Sequence, residues 1–219
     1  MSLIELYTSE GCSSCPPAES WLDSLRADPG LWRNFVPIAF HVNYWDNLGW
    51  PDRFASRQFT QRQYAHANGW SSGSVYTPCF VRDGAEWHPA EAGRRLRSAE
   101  SPGVLTVLLL DPGACHVEFA PNPGNRDGSW EAHVVLLGGG FSSRVTAGEN
   151  RGRTLTHEFV ALRLVDVPMK SGGDSASADL ALPAADGNGA VRRALAVWVT
   201  RPGELAPVQA TGGWLPVRS

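Results

Sequence analysis

Cys12 and Cys15 are separated by two serines, and Pro16 and Pro17 follow directly. A bridge across so small a loop restrains the unfolded chain little, so stapling is a poor reason for it. The chemistry this spacing suits is thiol–disulfide exchange or metal ligation. In the redox reading Cys12, on the turn side and expected to be the more exposed, attacks as the thiolate. Cys15, at the start of a helix, resolves the mixed disulfide. The helix N-terminus favours a thiolate at Cys12. Because prolines have no N–H, the donors must be Ser13, Ser14 and Cys15. A four-ligand zinc site needs a second pair, and the sequence has no second C-x-x-C and no H-x-x-x-H. A three-ligand copper or zinc site from Cys12, Cys15 and His41 stays open, as does a pair of inert thiols.

Other residues bear on the same chemistry. Thr77-Pro78 is expected in cis, facing the cysteines and offering the backbone before it to a substrate strand. Ser13, Ser14, Thr77, Pro78, Tyr44 and Trp45 are the candidate substrate contacts. Glu5, on the strand before the cysteines, is a candidate proton acceptor for Cys15. Strand side chains alternate faces, so it is equally placed to point away. Tyr44, Trp45, Trp50 and Trp70 form either a wall over the thiols or a loop packed on its own rings. Cys79 is a buried strand residue or a third thiol near the pair. Asn43 cannot accept a proton at neutral pH. Gly148–Arg153, followed by Thr156-His157-Glu158, is read as a turn whose side chains bond backbone groups, or one that faces the redox site or a partner. Cys115, His116 and His133 alternate with apolar residues and read as structural.

The elements that position these residues follow from periodicity and breakers. Leu3–Thr8 reads as a buried strand and Pro16–Arg26 as a helix with Ala18, Trp21, Leu22 and Leu25 on its apolar face. Phe35–Val42 is a second strand, Asn43–Trp50 an aromatic loop, and Phe54–Ala67 a polar helix. Strand Cys79–Arg82 turns at Asp83-Gly84 into Ala85–Trp87, and Pro89–Ala99 reads as a third helix. Beyond Ser101-Pro102-Gly103 the texture changes. Val104–Leu110, Ala114–Ala120, Trp130–Leu137, Phe141–Ala147, Glu158–Val165, Ala178–Leu182 and Val191–Thr200 read as strands separated by Gly, Pro, Asn and Asp. The expected fold is α/β plus all-β. A thioredoxin-like domain spans residues 1–101 and a β-sandwich-like domain residues 102–219.

The stretches LIELYTSEGCSSCPP (from Leu3), HVNYWDNLGW (from His41), FASRQFTQRQ (from Phe54), VYTP (from Val75) and GENRGRTLTHEFV (from Gly148) resemble the bacterial family called domain of unknown function 1223. The resemblance runs in order over most of the chain. It implies a thioredoxin-like N-terminal part with a β-rich extension, and members usually carry a secretion signal. It supplies no reaction or substrate. Members carry Asp where this chain has Asn43, and Gln where it has Cys79. The strand-then-cysteine pattern also resembles glutaredoxin, without that family's glutathione-site features.

Composition narrows the partners. The 219 residues are 42% hydrophobic and 19% charged with nine tryptophans, enough apolar material for a packed core. A net charge of −3 without a basic stripe argues against nucleic acid. The longest aliphatic run, Val104–Leu110, falls far short of the roughly 18 residues that span a bilayer. The expected function is thiol–disulfide oxidoreductase on a disulfide- or dithiol-bearing protein or small thiol, with no organic cofactor. Metal delivery through the same cysteines and a non-enzymatic interaction module are the alternatives. The chain as given would be cytoplasmic, or periplasmic or secreted if a leader has been removed.

Overall fold

The computed structural model describes residues 1–70, 73–91, 102–110, 113–126, 128–182 and 189–216. In chain order the elements are β1 (Ser2–Thr8), α1 (Pro16–Ser24), β2 (Phe35–His41), α2 (Arg57–Gly69), β3 (Cys79–Arg82), β4 (Ala85–Glu86), β5 (Gly103–Leu110), β6 (Ala114–Pro121), β7 (Glu131–Gly139), β8 (Phe141–Arg144), β9 (Thr154–His157), β10 (Val160–Pro168), β11 (Lys170–Gly172), β12 (Ser175–Ala181), β13 (Arg192–Thr200) and β14 (Gln209–Trp214). The described chain is mostly β-sheet with two α-helices. The helix expected over 89–99 falls largely outside the described residues; Pro89–Glu91 forms a 3-10 turn. No helix among the described residues is long and apolar enough to cross a membrane.

Eight strands form one mixed sheet in the order β14-β13-β7-β10-β2-β1-β3-β4. β1 and β2 run parallel in register Ser2 with Phe35 through Thr8 with His41. β10 joins β2 in parallel at Val160 and Ala39, supported by a 2.8 Å bond from the Ala39 N–H to the Phe159 carbonyl. The boundary expected at residue 101 therefore does not separate sheets: strands from both sides of it share one ladder. A second sheet, β11-β12-β6-β5, is antiparallel, and β8 and β9 form a two-stranded ribbon.

Alternation on the strands sends side chains to two cores. On one face Tyr7, Phe40, Val135, Leu137 and Trp198 pack with Phe59 of α2. On the other, Ile4, Leu6 and Ala39 pack with Leu22 and Leu25 around α1. Further along, Val134, Leu136, Val197 and Val199 pack against Val117 and Phe119 of the four-stranded sheet. α2 starts three residues later than its apolar pattern suggests. Ser56 caps it, its side chain accepting from the Gln58 N–H, while Phe54 is buried before the helix begins.

Candidate functional site

The chain leaves β1 at Thr8 and turns sharply. The Cys12 N–H donates to the Ser9 carbonyl and the Gly11 N–H to Ser9 Oγ. A Cβ on Gly11 would stand 3.1 Å from Cβ of Trp45, so a side chain there would press on the aromatic loop. α1 begins with two prolines, and the Cys15 carbonyl accepts the N–H groups of Ala18 and Glu19.

Cys12 and Cys15 are joined in a disulfide, their Cα atoms 5.5 Å apart. Both are 0% exposed, while Ser13 and Ser14 between them are exposed. This corrects the expectation that Cys12 is the more accessible thiol. The turn presents the two serines to solvent and tucks both sulfurs inward. Cys12 Sγ lies 3.3 Å from Ser14 Oγ and 3.8 Å from the Thr77 carbonyl. The Thr77-Pro78 peptide bond is cis. Trp45 Nε1 donates to Thr77 Oγ1 at 2.9 Å, so Ser14, Thr77 and Trp45 meet at the disulfide. Tyr44 donates to Gln63 of α2 and also lies beside Thr77, and burial pushes its hydroxyl up to about 12.

Glu5, Trp50 and Trp70 have partners elsewhere, and Cys79 takes its buried-strand alternative. Glu5 is buried on the α2 face and accepts two bonds from Arg62, at 2.8 and 2.9 Å, and one from Tyr7 at 2.7 Å. Burial would raise its carboxyl, but Arg62 and His66 outweigh that and hold it below the usual range. Cys79 is a free, buried thiol within the α2-side core, and burial pushes it up to about 11. Of the aromatics, Trp50 donates to Glu10 and Trp70 to the Gly84 carbonyl, so the four rings do not form one wall over the thiols.

The second half of the chain reaches the cysteine turn through the Gly148–Arg153 segment. Asn150 is fully buried, and its Nδ2 donates to the carbonyls of both Glu10 and Cys12 at 2.9 Å. Glu149 accepts the Ser13 N–H at 3.1 Å. That N–H is one of the donors expected to favour a thiolate, so here it is shared with a carboxylate.

Beneath the turn lies a buried polar cluster drawn from five segments. Glu10 comes from the turn, Glu19 from α1, His41 from the end of β2, Asp52 from the following loop and His157 from the end of β9. His41 Nδ1 is 2.7 Å from Asp52 Oδ2, which also accepts the Glu10 N–H. His157 Nε2 is 3.1 Å from Glu10 Oε1, and its Nδ1 is 3.0 Å from Glu19 Oε2. Burial opposes a charge on His157, but Glu10 and Glu19 outweigh it and raise its pKa to about 10. His41 thus sits with Asp52, Glu19 and His157, and no contact of its ring with Cys12 or Cys15 is seen. Sequence reasoning named the segment that holds Asn150 and His157 as one whose side chains bond backbone groups or face the cysteines, and Asn150 does bond the Glu10 and Cys12 carbonyls. It missed Glu10, Glu19 and Asp52, of which Glu19 carried a signal: it lies between Cys15 and Leu22 on the inner stripe of α1.

The sequence profile of a family described as proteins of unknown function, DUF1223, matches residues 3–200. The chain belongs to the DUF1223 family. Two solved structures are similar to this DUF1223 member over 98% of its length. One is protein AGR_C_4864 of Agrobacterium tumefaciens, with TM-score 0.68, 22% identity and 93% of that chain covered. The other is HBP35 of Porphyromonas gingivalis, with TM-score 0.66, 15% identity and 74% of that chain covered. At such identities the likeness is one of fold alone. Among curated proteins no significant match is found.

Proposed function

We propose that this DUF1223 protein is a thiol–disulfide oxidoreductase. Its residues 1–101 would supply a thioredoxin-like redox half and residues 102–219 a β-rich half that braces it. The observation that carries the reading is the Cys12–Cys15 disulfide at the start of α1, with Cys12 Sγ 3.8 Å from the Thr77 carbonyl. In the reducing direction the Cys12 thiolate attacks one sulfur of a substrate disulfide and expels the other as a thiolate. Cys15, as thiolate, then attacks Cys12 Sγ, closes the disulfide and releases the second substrate thiolate. Two electrons pass to the substrate, and solvent protonates the thiolates released. The reverse sequence oxidises a substrate dithiol. A peptide substrate would lie along Ser13-Ser14 and the backbone at Thr77-Pro78. Both sulfurs are buried, so the turn must open for attack.

Trapping tests the assignment. Cys15→Ser removes the resolving thiol, so a disulfide-bearing peptide should accumulate as a stable adduct on Cys12. Cys12→Ser should give no such adduct. Equal adducts from both variants, or none from either, would contradict these roles.

A further inference from the structure

We propose that Glu19, His41 and His157 form a buried divalent-metal site of the zinc class beneath the redox turn, independent of the cysteines. The nearest donor atoms of the three side chains all lie within 4.8 Å of one another. None of the three residues is more than 5% exposed. Donors around a tetrahedral Zn(II) held at about 2.0–2.1 Å stand roughly 3.3 Å apart. The 3.0 Å separation of His157 Nδ1 and Glu19 Oε2 is already close to that.

Both imidazoles are oriented as metal ligands are. His41 turns Nδ1 to Asp52, which leaves Nε2 facing the cluster, fully buried and without a hydrogen-bond partner. His157 turns Nε2 to Glu10, and its Nδ1 faces Glu19 Oε2 at 3.0 Å, where an ion would take the place of a proton. A carboxylate behind each ring fixes the tautomer and raises the basicity of the inward nitrogen. Glu10, Glu19 and Asp52 bring three carboxylates into this space, so a cation among them offsets buried negative charge.

The donor set selects the ion. Two imidazoles and one carboxylate suit Zn(II) and its transition-metal neighbours, not Mg(II) or Ca(II). The gap bounded by Glu19, Leu22, Asp23, Ala39, His41, His157 and Glu158 is too tight for a water molecule. Without the ion the site is closed to substrate, which suits a structural role; four-coordination would be completed by the second Glu19 oxygen or by one water admitted with the ion. The ion would pin β2, α1 and β9 together directly under Cys12 and Cys15.

The test uses the full chain with its disulfide intact, stripped by chelator and then equilibrated with Co(II). One equivalent should bind, with a ligand-field spectrum that lacks a thiolate-to-cobalt charge-transfer band, and Zn(II) should displace it. Glu19→Gln and His157→Gln should each weaken binding at least about 100-fold. Asp52→Asn, which touches no metal, should weaken it about 10–100-fold. The Cys12→Ser/Cys15→Ser double variant should bind as the parent does, whatever becomes of the redox reading. If a ligand variant fails to fold, the parent's spectrum and Asp52→Asn decide. The proposal is overturned if the folded parent takes up no Co(II) or Zn(II), as a cluster held by shared protons alone would behave. Uptake indifferent to Glu19, His157 and Asp52, or lost with the cysteines, would also overturn it.

Discussion

Glu5 and Glu19 are both buried glutamates beside the Cys12–Cys15 turn in sequence, yet their partners give them different work. Glu5 is held by the Arg62 guanidinium, with Arg62 lying 4.9 Å over the Trp198 ring. Arg62→Met keeps the apolar stem and leaves a buried carboxylate without its cation. It should cost about 3–5 kcal/mol of stability at pH 7, read by urea unfolding. The pH dependence has a definite sign. The folded Glu5 carboxyl titrates below its ordinary 4.5, so the pair's stabilisation is complete above that pH and is lost as pH falls further. The deficit of Arg62→Met should accordingly shrink below pH 4.5, because a protonated Glu5 no longer needs a cation. A deficit independent of pH would mean the pair is not what stabilises this face. Cys79 and Cys115 belong to the same scale. Burial pushes each up to about 11, so at pH 8 only about one in a thousand is thiolate. Native protein should resist alkylation at both, and denatured protein should take up two labels without reductant. The Cys12–Cys15 pair was legible from spacing alone. Glu5's outward-or-inward choice was not, because alternation sets a face but not which partner waits there.

At the scale of elements, the order β1-α1-β2-α2-β3-β4 could be read from alternation, prolines and the Asp83-Gly84 turn, since those signals are local. β14, with sequence QATGGW, carries no apolar alternation and exists because β13 offers it a ladder from Ala194 to Val199. Such strands are written in the neighbour and not in themselves. The Gly148–Arg153 turn is similar: its polarity marked a turn, but only tertiary contact puts Asn150 against Glu10 and Cys12. Asn150→Ala should cost about 1–3 kcal/mol by leaving buried carbonyls short of a donor. Amide exchange at Gly11–Cys15 should quicken with it. Unchanged exchange would show that the turn holds itself. Ser56→Ala should cost about 1 kcal/mol by removing the cap of α2, a loss that thermal unfolding detects.

Across the whole molecule, texture divides the chain near residue 101 while hydrogen bonding does not. Val160 lies beside Ala39 in the shared sheet, and Val135, Leu137 and Trp198 complete the core around Phe40 and Phe59. A fragment of residues 1–101 would expose that face and the edge of β2, so it should show neither cooperative unfolding nor dispersed amide resonances. The buried Glu10–Glu19–His41–Asp52–His157 cluster has the same origin: its members are up to 147 positions apart, as Glu10 and His157 are. No spacing rule spans that distance. The cysteines, by contrast, need only each other. Their reduction potential is the most direct test of the proposed function, measured in metal-free glutathione buffers by alkylation and mass. The oxidoreductase reading predicts one reversible two-electron transition between about −270 and −120 mV. A pair that stays oxidised below about −300 mV would be a structural disulfide, and one that never forms the bond would be no redox site; either result contradicts the account.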